Sequence, residues 1–341
     1  MVYILELKTT QAAAIKIVTD TINSLLADAN FDFYPYYIDD NDAESDNDNE
    51  KEKSEDSEKS EESEESSDSD DSNNSHSEQY IKKKIIKKTN KVKSSKNNNE
   101  NSPKETGEKK KIIGGVVLKE VNKTGKILVY MRLDADKFDV YKYNYHKKKL
   151  TLGIDIGFLL KSLKCLSHFD TMTWLVDDED INKLIVILES VEKNEKKTFK
   201  LNLMDIEEQT YDITPIQFPY SISLPSPDFH KYCKDMASSM EKMEIKATSK
   251  KLIFSGTGEI GFIEFDVGES SGGLQITSTT SNLNEIVQGL FELKFLLIFT
   301  KCTNLCNHVT LFLKNDYPII VTYQIAALGE IKLVLSPSNA N

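Results

Sequence analysis

The stretch GTGEIG (256–261) has the spacing G-x-G-x-x-G, which cradles a dinucleotide pyrophosphate when a strand precedes it and a helix follows. Here KLIFS precedes, but FIEFDV follows and alternates as a strand does, so the glycines are expected to form a turn between two strands. Cys302-x3-Cys306 could suggest a metal, yet no second Cys or His pair stands at finger spacing, and His308 sits in the strand-like NHVTLFL as a surface histidine. Asp-rich VDDEDIN (176–182) reads as another turn. With 5 histidines, the chain shows no Ser-His-Asp set, no Cys-His pair and no paired carboxylates. It is therefore expected to be no enzyme, with no catalytic residues, no cofactor and no metal.

The lysines carry more information. Lys161 and Lys164 are three apart on a predicted helix, opposite an apolar set of Phe158, Leu159, Leu163 and Leu166. Lys231 and Lys234 repeat that spacing on another helix, Lys294 and Lys301 lie seven apart on a third, and Lys16 lies on the first. Any one such pair is ordinarily a solvated helix face. If the helices face the same way, however, their lysines form a basic lining suited to a phosphate backbone read without base specificity.

Net charge is -12, which alone argues against a nucleic-acid partner, but the charge is unevenly placed. Residues 39–71 hold 18 Asp and Glu against 3 Lys, and residues 81–111 hold 12 Lys against 3 Glu. The run EKEKSEDSEKSEESEESSDSDDSNNS (50–75) lacks any apolar residue and cannot repay the entropy of ordering it, so disorder is expected there. Four cysteines without disulfide spacing, and no visible signal peptide or spanning segment, suggest a soluble protein of a reducing compartment. The 42 lysines against the single Arg132 suggest an AT-rich genome.

The elements that must position these residues alternate along the chain. TQAAAIKIVTDTINSLL (10–26), DIGFLLKSLKCL (155–166), SPDFHKYCKDMASSM (226–240) and NEIVQGLFELKFLLIFT (284–300) read as helices, with strand-like segments between them. IEEQTYDITPIQFPYS (206–221) reads as an extended connector. Each side of it contains two rounds of helix followed by strands, and SLKCLS (162–167) echoes FTKCTN (299–304), as expected of internal duplication.

On LKCLSHFD, TFKLNLMDIEEQ, PSPDFHKYCKDM, LIFSGTGEIG, FTKCTNL and YPIIVTYQIAALGEIKLVLSP, the chain resembles the sliding clamp proliferating cell nuclear antigen, over about residues 1–35 and 114–338. The resemblance implies an α+β fold of two similar clamp domains, each with two helices packed on antiparallel sheets. The domains would be 1–205 and 222–341, joined by the connector 206–221. About 36–112 would be a long disordered insertion in one loop of the first domain, an appendage that loop-closure entropy tolerates.

The same resemblance implies a homotrimeric ring around double-stranded DNA, acting as a DNA polymerase processivity factor, with Lys16, Lys161, Lys164, Lys231, Lys234, Lys294 and Lys301 facing the DNA. Edge strands bearing Phe199, Leu201 and Leu203, and Ile263 and Phe265, would close the ring. A pocket of Val121, Leu128, Tyr211, Ile213, Pro318, Val334 and Pro337 would take short peptides of polymerase and of other replication and repair proteins. A clamp loader is implied, as is a nuclear or viral replication compartment, a cytoplasmic factory if viral, and no membrane. Family members usually carry several basic residues on the first helix, where Lys16 stands nearly alone; Gly125, Lys126 and Val334 replace a histidine, an apolar residue and an aromatic of the family pocket.

Three other readings compete. One is a clamp-fold accessory factor acting as monomer or dimer without closing a ring. The others are a dinucleotide enzyme using GTGEIG and a basic-protein chaperone using the acidic run.

Overall fold

The computed structural model describes residues 3–37, 113–166, 170–209, 216–259, 261–279, 282 and 285–338. The insertion expected at about 36–112 lies, but for its first residues, outside the described residues, as do Tyr211 and Ile213 of the connector.

Alternation of apolar and polar residues sets the strands. In β4 (Ile127–Asp134), Ile127, Val129, Met131 and Leu133 are buried while the residues between them are half-exposed. The first half runs β1 (Tyr3–Thr9), α1 (Ala12–Asn23), β2 (Asp28–Tyr37), β3 (Ile113–Val121), β4, β5 (Val140–Tyr143), β6 (Leu150–Asp155), α2 (Ile156–Leu163), β7 (Asp170–Asp177), β8 (Lys183–Ser190) and β9 (Glu195–Asn202). The second half repeats that order: β10 (Tyr220–Pro225), α3 (Ser226–Ala237), β11 (Lys242–Ala247), β12 (Lys251–Gly258), β13 (Gly261–Gly268), β14 (Gln275–Ser278), β15 (Val287–Glu292), α4 (Leu293–Phe299), β16 (His308–Leu313), β17 (Ile319–Ile325) and β18 (Gly329–Leu335). One strand, a helix, five strands, a helix and three strands occur twice.

The strand pairings repeat as well. A five-stranded sheet has the order β5-β1-β7-β8-β9, and a four-stranded sheet the order β13-β12-β11-β15. Between them, β14-β10-β16-β17-β18-β4-β3-β2-β6 form one nine-stranded sheet in which β18 pairs antiparallel with β4 and joins the halves. In the duplicated plan β9 holds the place of β18, and β13 the place of β4. Both are sheet edges.

The expected helix at 284–300 needs correction. Val287–Glu292 form β15, paired with β11, and only Leu293–Phe299 are α-helical before a 3-10 turn over Thr300–Leu305. The apolar run LFELKFLLIF suits a buried strand and a buried helix equally, and pairing with Lys242–Ala247 decides where one gives way to the other. GTGEIG does run from β12 into β13, with Gly258 paired to Gly261 and no helix following, and VDDEDIN connects β7 to β8.

The four α-helices among the described residues share one layer. α2 touches α1, α1 touches the 3-10 turn, and α3 packs on α4 and on that turn. Their apolar faces cover the inner side of the sheets, with Val18 and Ile22, Leu159 and Leu163, Phe229 and Cys233, and Leu296 and Phe299 buried. No described helix is long and apolar enough to cross a membrane.

Candidate nucleic-acid interface and docking surfaces

The solvent side of the helix layer carries the seven predicted lysines, although not all in the same state. Lys161 and Lys164 are exposed at the end of α2, whose first turn is capped by Asp155 accepting the Phe158 N–H at 2.8 Å. Lys231 and Lys234 are exposed on α3 with Asp228 and Asp235 beside them. None of these four lysines, nor Lys16, has an ion-pair partner among the described residues. Lys294 does: its Nζ lies 2.6 Å from Glu292, which also binds Lys126 at 2.7 Å. Burial would raise the Glu292 carboxyl, but hydrogen bonds from Lys126 and Lys294 outweigh it and hold the group below its ordinary 4.5.

Lys301 lies in the 3-10 turn rather than on α4, so it does not continue a face of that helix. Its Nζ reaches across to the first half, 3.1 Å from Asp20 and 2.8 Å from Ser24 Oγ on and beside α1. Sequence reasoning missed Asp20, which leaves α1 with one lysine and one carboxylate on its outer side. The apolar set expected on α2 also needs correction. Phe158 is 62 % exposed, and Lys161 Nζ stands 4.7 Å from its ring, because residues three apart share a helix face. Leu159, Leu160 and Leu163 form the buried side.

The described residues among those expected to form a peptide pocket lie on or beside the outer side of the nine-stranded sheet. Val121 pairs with Leu128, and Leu128 with Val334, so the three side chains stand in one half-buried row. The row continues through Ile320 to Phe312, whose ring packs 5.7 Å from Phe218. Ile320 and Phe312 were missed because only strand register brings them beside Val334. Pro318 precedes β17 and Pro337 follows β18, where Ser336 and Ser338 N–H groups donate to Lys126 O at 3.0 Å and Leu290 O at 2.7 Å.

Gly125 has a φ of 70° in the turn organised by Asn122, whose Oδ1 accepts the N–H groups of Lys126 and Ile127 at 3.1 and 3.0 Å. The start of the connector lies over β6 and β2: Met204 N–H donates to Gly153 O at 2.8 Å, Asn30 Nδ2 to Ile206 O at 3.1 Å, and Glu208 meets Lys149 at 2.9 Å.

The edge positions are apolar inward and, apart from Phe262, polar outward. On β9, Phe199 and Leu201 are half-buried while Lys196, Thr198 and Lys200 are exposed; Leu203 lies just past the strand end. On β13, Ile263 and Phe265 are half-buried, while Phe262, Glu264 and Asp266 are exposed. Phe265 stacks 5.3 Å from Tyr232 of α3.

Cys302 and Cys306 do not converge. Cys302 donates to Thr21 Oγ1 at 3.4 Å, with burial pushing its thiol up to about 12, while Cys306 donates to His308 O at 3.1 Å. Among the described residues no group of three or more His, Cys, Asp or Glu is gathered.

Two sequence profiles match the chain: the N-terminal domain of proliferating cell nuclear antigen over residues 111–211 and its C-terminal domain over 206–338. β1, α1 and β2 fall outside the first match yet occupy the places of β10, α3 and β11. A protein of Acanthamoeba polyphaga mimivirus, "Probable DNA polymerase sliding clamp", is 25% identical over 336 residues, which is 98% of this chain and 62% of that protein. The chain thus spans less than two thirds of the length of this relative. With both domain profiles matched in order and two halves of one duplicated plan, the chain belongs to the proliferating cell nuclear antigen family of sliding clamps.

Proposed function

We propose that this chain is a DNA polymerase processivity factor, three copies of which close head to tail into a ring around duplex DNA. One observation carries the reading. A single helix layer bears five lysines with no ion pair among the described residues, and the sheets at both of its ends stop at open strands, so more copies can extend the layer without turning it over. Weak, screened contacts between lysine and phosphate suit sliding, because a closed ring is retained by topology rather than affinity. The outer row of Val121, Leu128, Val334, Ile320 and Phe312 gives replication and repair proteins an apolar groove for short peptide anchors, and polymerase and clamp loader are the partners proposed. The domains are taken as 1–205 and 222–341 with the connector between them.

Primer extension on circular and on linear template, with the cognate polymerase and loader, tests the reading. Stimulation confined to the circle supports topological tethering. Equal stimulation on both would favour an accessory factor that works without closing.

A further inference from the structure

Among the described residues of the four α-helices, Phe158 alone leaves a large apolar side chain in solvent, 62 % exposed. A single exposed apolar residue is ordinary, so its neighbours decide what it can do. Lys161 Nζ stands over the ring, 4.7 Å from its centre, and Lys164 follows at the next three-residue step. Both lysines are exposed and have no ion pair among the described residues. Asp155, the nearest carboxylate along the chain, is engaged by the helix start, where it accepts the Phe158 N–H at 2.8 Å.

The duplicated plan gives this residue a counterpart. Asp155 and Glu292 each immediately precede a helix, and they pair with Asp28 and Lys242, the first residues of β2 and β11. Phe295 therefore holds in α4 the place of Phe158 in α2. It too has a lysine over its ring, with Lys294 Nζ at 4.8 Å. The likeness stops there. Phe295 is half-buried against the core, and Glu292 holds Lys294 at 2.6 Å. Only the first half sets an open aromatic ring beside unpaired cations.

Nothing places Phe158 against a second copy. The open strand β9 lies toward the other end of α2, where Lys197 Nζ donates to Cys165 O at 3.2 Å. The start of α2 lies beside α1 instead: a Cβ on Gly157 would stand 3.5 Å from Asn23 Oδ1. Nor can duplex DNA use the face of the ring, because paired bases are stacked on one another and present only their edges. An unpaired base has a free face. Proteins that hold single strands set cations along the backbone and aromatic rings under the bases, which is the combination found here.

We propose that Phe158 is a stacking platform for an unpaired base of single-stranded DNA, with Lys161 and Lys164 holding the adjoining phosphates. The ammonium of Lys161 covers one face of the ring, and the base takes the other. The inference rests on the reading that the helix layer faces DNA, and adds that this layer tells single strands from double. A clamp so equipped favours a site where single strand adjoins duplex over uninterrupted duplex.

Fluorescence anisotropy of the full chain at low salt, with labelled oligothymidylate and with a labelled blunt duplex, tests the platform. Phe158→Ala is expected to weaken oligothymidylate binding roughly tenfold and to leave duplex binding unchanged. Phe295→Leu, at the half-buried counterpart, should change neither. Lys161→Ala should weaken both and lower the salt dependence of both. Matching melting curves show that each variant folds.

Phe158→Trp adds a spectroscopic signature. The chain's one natural tryptophan, Trp174, is buried, so the added indole reports the surface. Oligothymidylate should quench its emission and duplex should not. Equal weakening of both probes by Phe158→Ala, or of neither, overturns the platform and leaves the lysine lining standing. Quenching by duplex as strong as by oligothymidylate overturns it as well. A wild-type chain that binds neither probe overturns the DNA-facing reading itself.

Discussion

Strand β18 lies against β4 inside the chain, whereas β9 and β13, which hold the same places in the duplicated plan, are left as edges. The inward faces of the two regions are alike: Leu333 and Met131 on one side, Phe199 and Phe265 on the other, all against the core. Their exteriors have diverged. Outside the internal junction stand Val121, Leu128, Val334 and Ile320; the corresponding outer positions at the edges are Thr257, Phe262, Lys200 and Ile185. A sealed junction whose two sides cannot part is free to display an apolar row, the surface proposed above for partner peptides. The edges break that row with Thr257 and Lys200, leaving Phe262 and Ile185 as its apolar members.

The largest effect should come from cutting the sealed side. Leu333→Ala, at a fully buried position, is expected to lower the stability of the single chain by about 3 kcal/mol. Phe199→Ala at the corresponding half-buried edge position should cost only about 1 kcal/mol while sharply weakening assembly. Denaturant melts and sedimentation of both variants measure the contrast; equal destabilisation would break the comparison.

Next in size, Leu128→Ser or Val334→Ser should weaken capture of a polymerase-derived peptide at least about tenfold with assembly intact. Phe262→Ser should leave peptide binding unchanged. Fluorescence anisotropy with the same labelled peptide reads all three.

A smaller effect concerns pH. The folded Glu292 carboxyl sits below its ordinary 4.5, so its ion pairs stabilise the chain above the unfolded value, and that contribution is lost as pH falls through the lower folded value. Glu292→Gln should therefore lower stability near neutrality and flatten the loss of stability below about pH 4.5, measured by melting against pH. The smallest effect belongs to α1. Asp20→Asn releases Lys301 toward the DNA and should strengthen duplex binding by about 0.5 kcal/mol, with a steeper salt dependence.

Much of this plan was legible in the sequence because burial imposes alternation. The strands were readable, and the echo of SLKCLS in FTKCTN placed Lys164 and Cys165 opposite their true counterparts Lys301 and Cys302. What escaped depended on neighbours remote in sequence. The division of 284–300 into β15 and α4 is decided by pairing with β11, and the link of Asp20 to Lys301 spans the two halves. Ile320 and Phe312 join Val334 only through register. Phe158 was misplaced for a different reason, since an aromatic residue is ordinarily counted as core and here it shares the outer face with Lys161.

The most direct measurement is the mass of the unmodified chain by sedimentation equilibrium at micromolar concentration and moderate salt. If β9 and β13 are the two sides of one repeated junction, the mass is three times the 38.7 kDa of a single chain. A mass of one chain under those conditions would contradict the account.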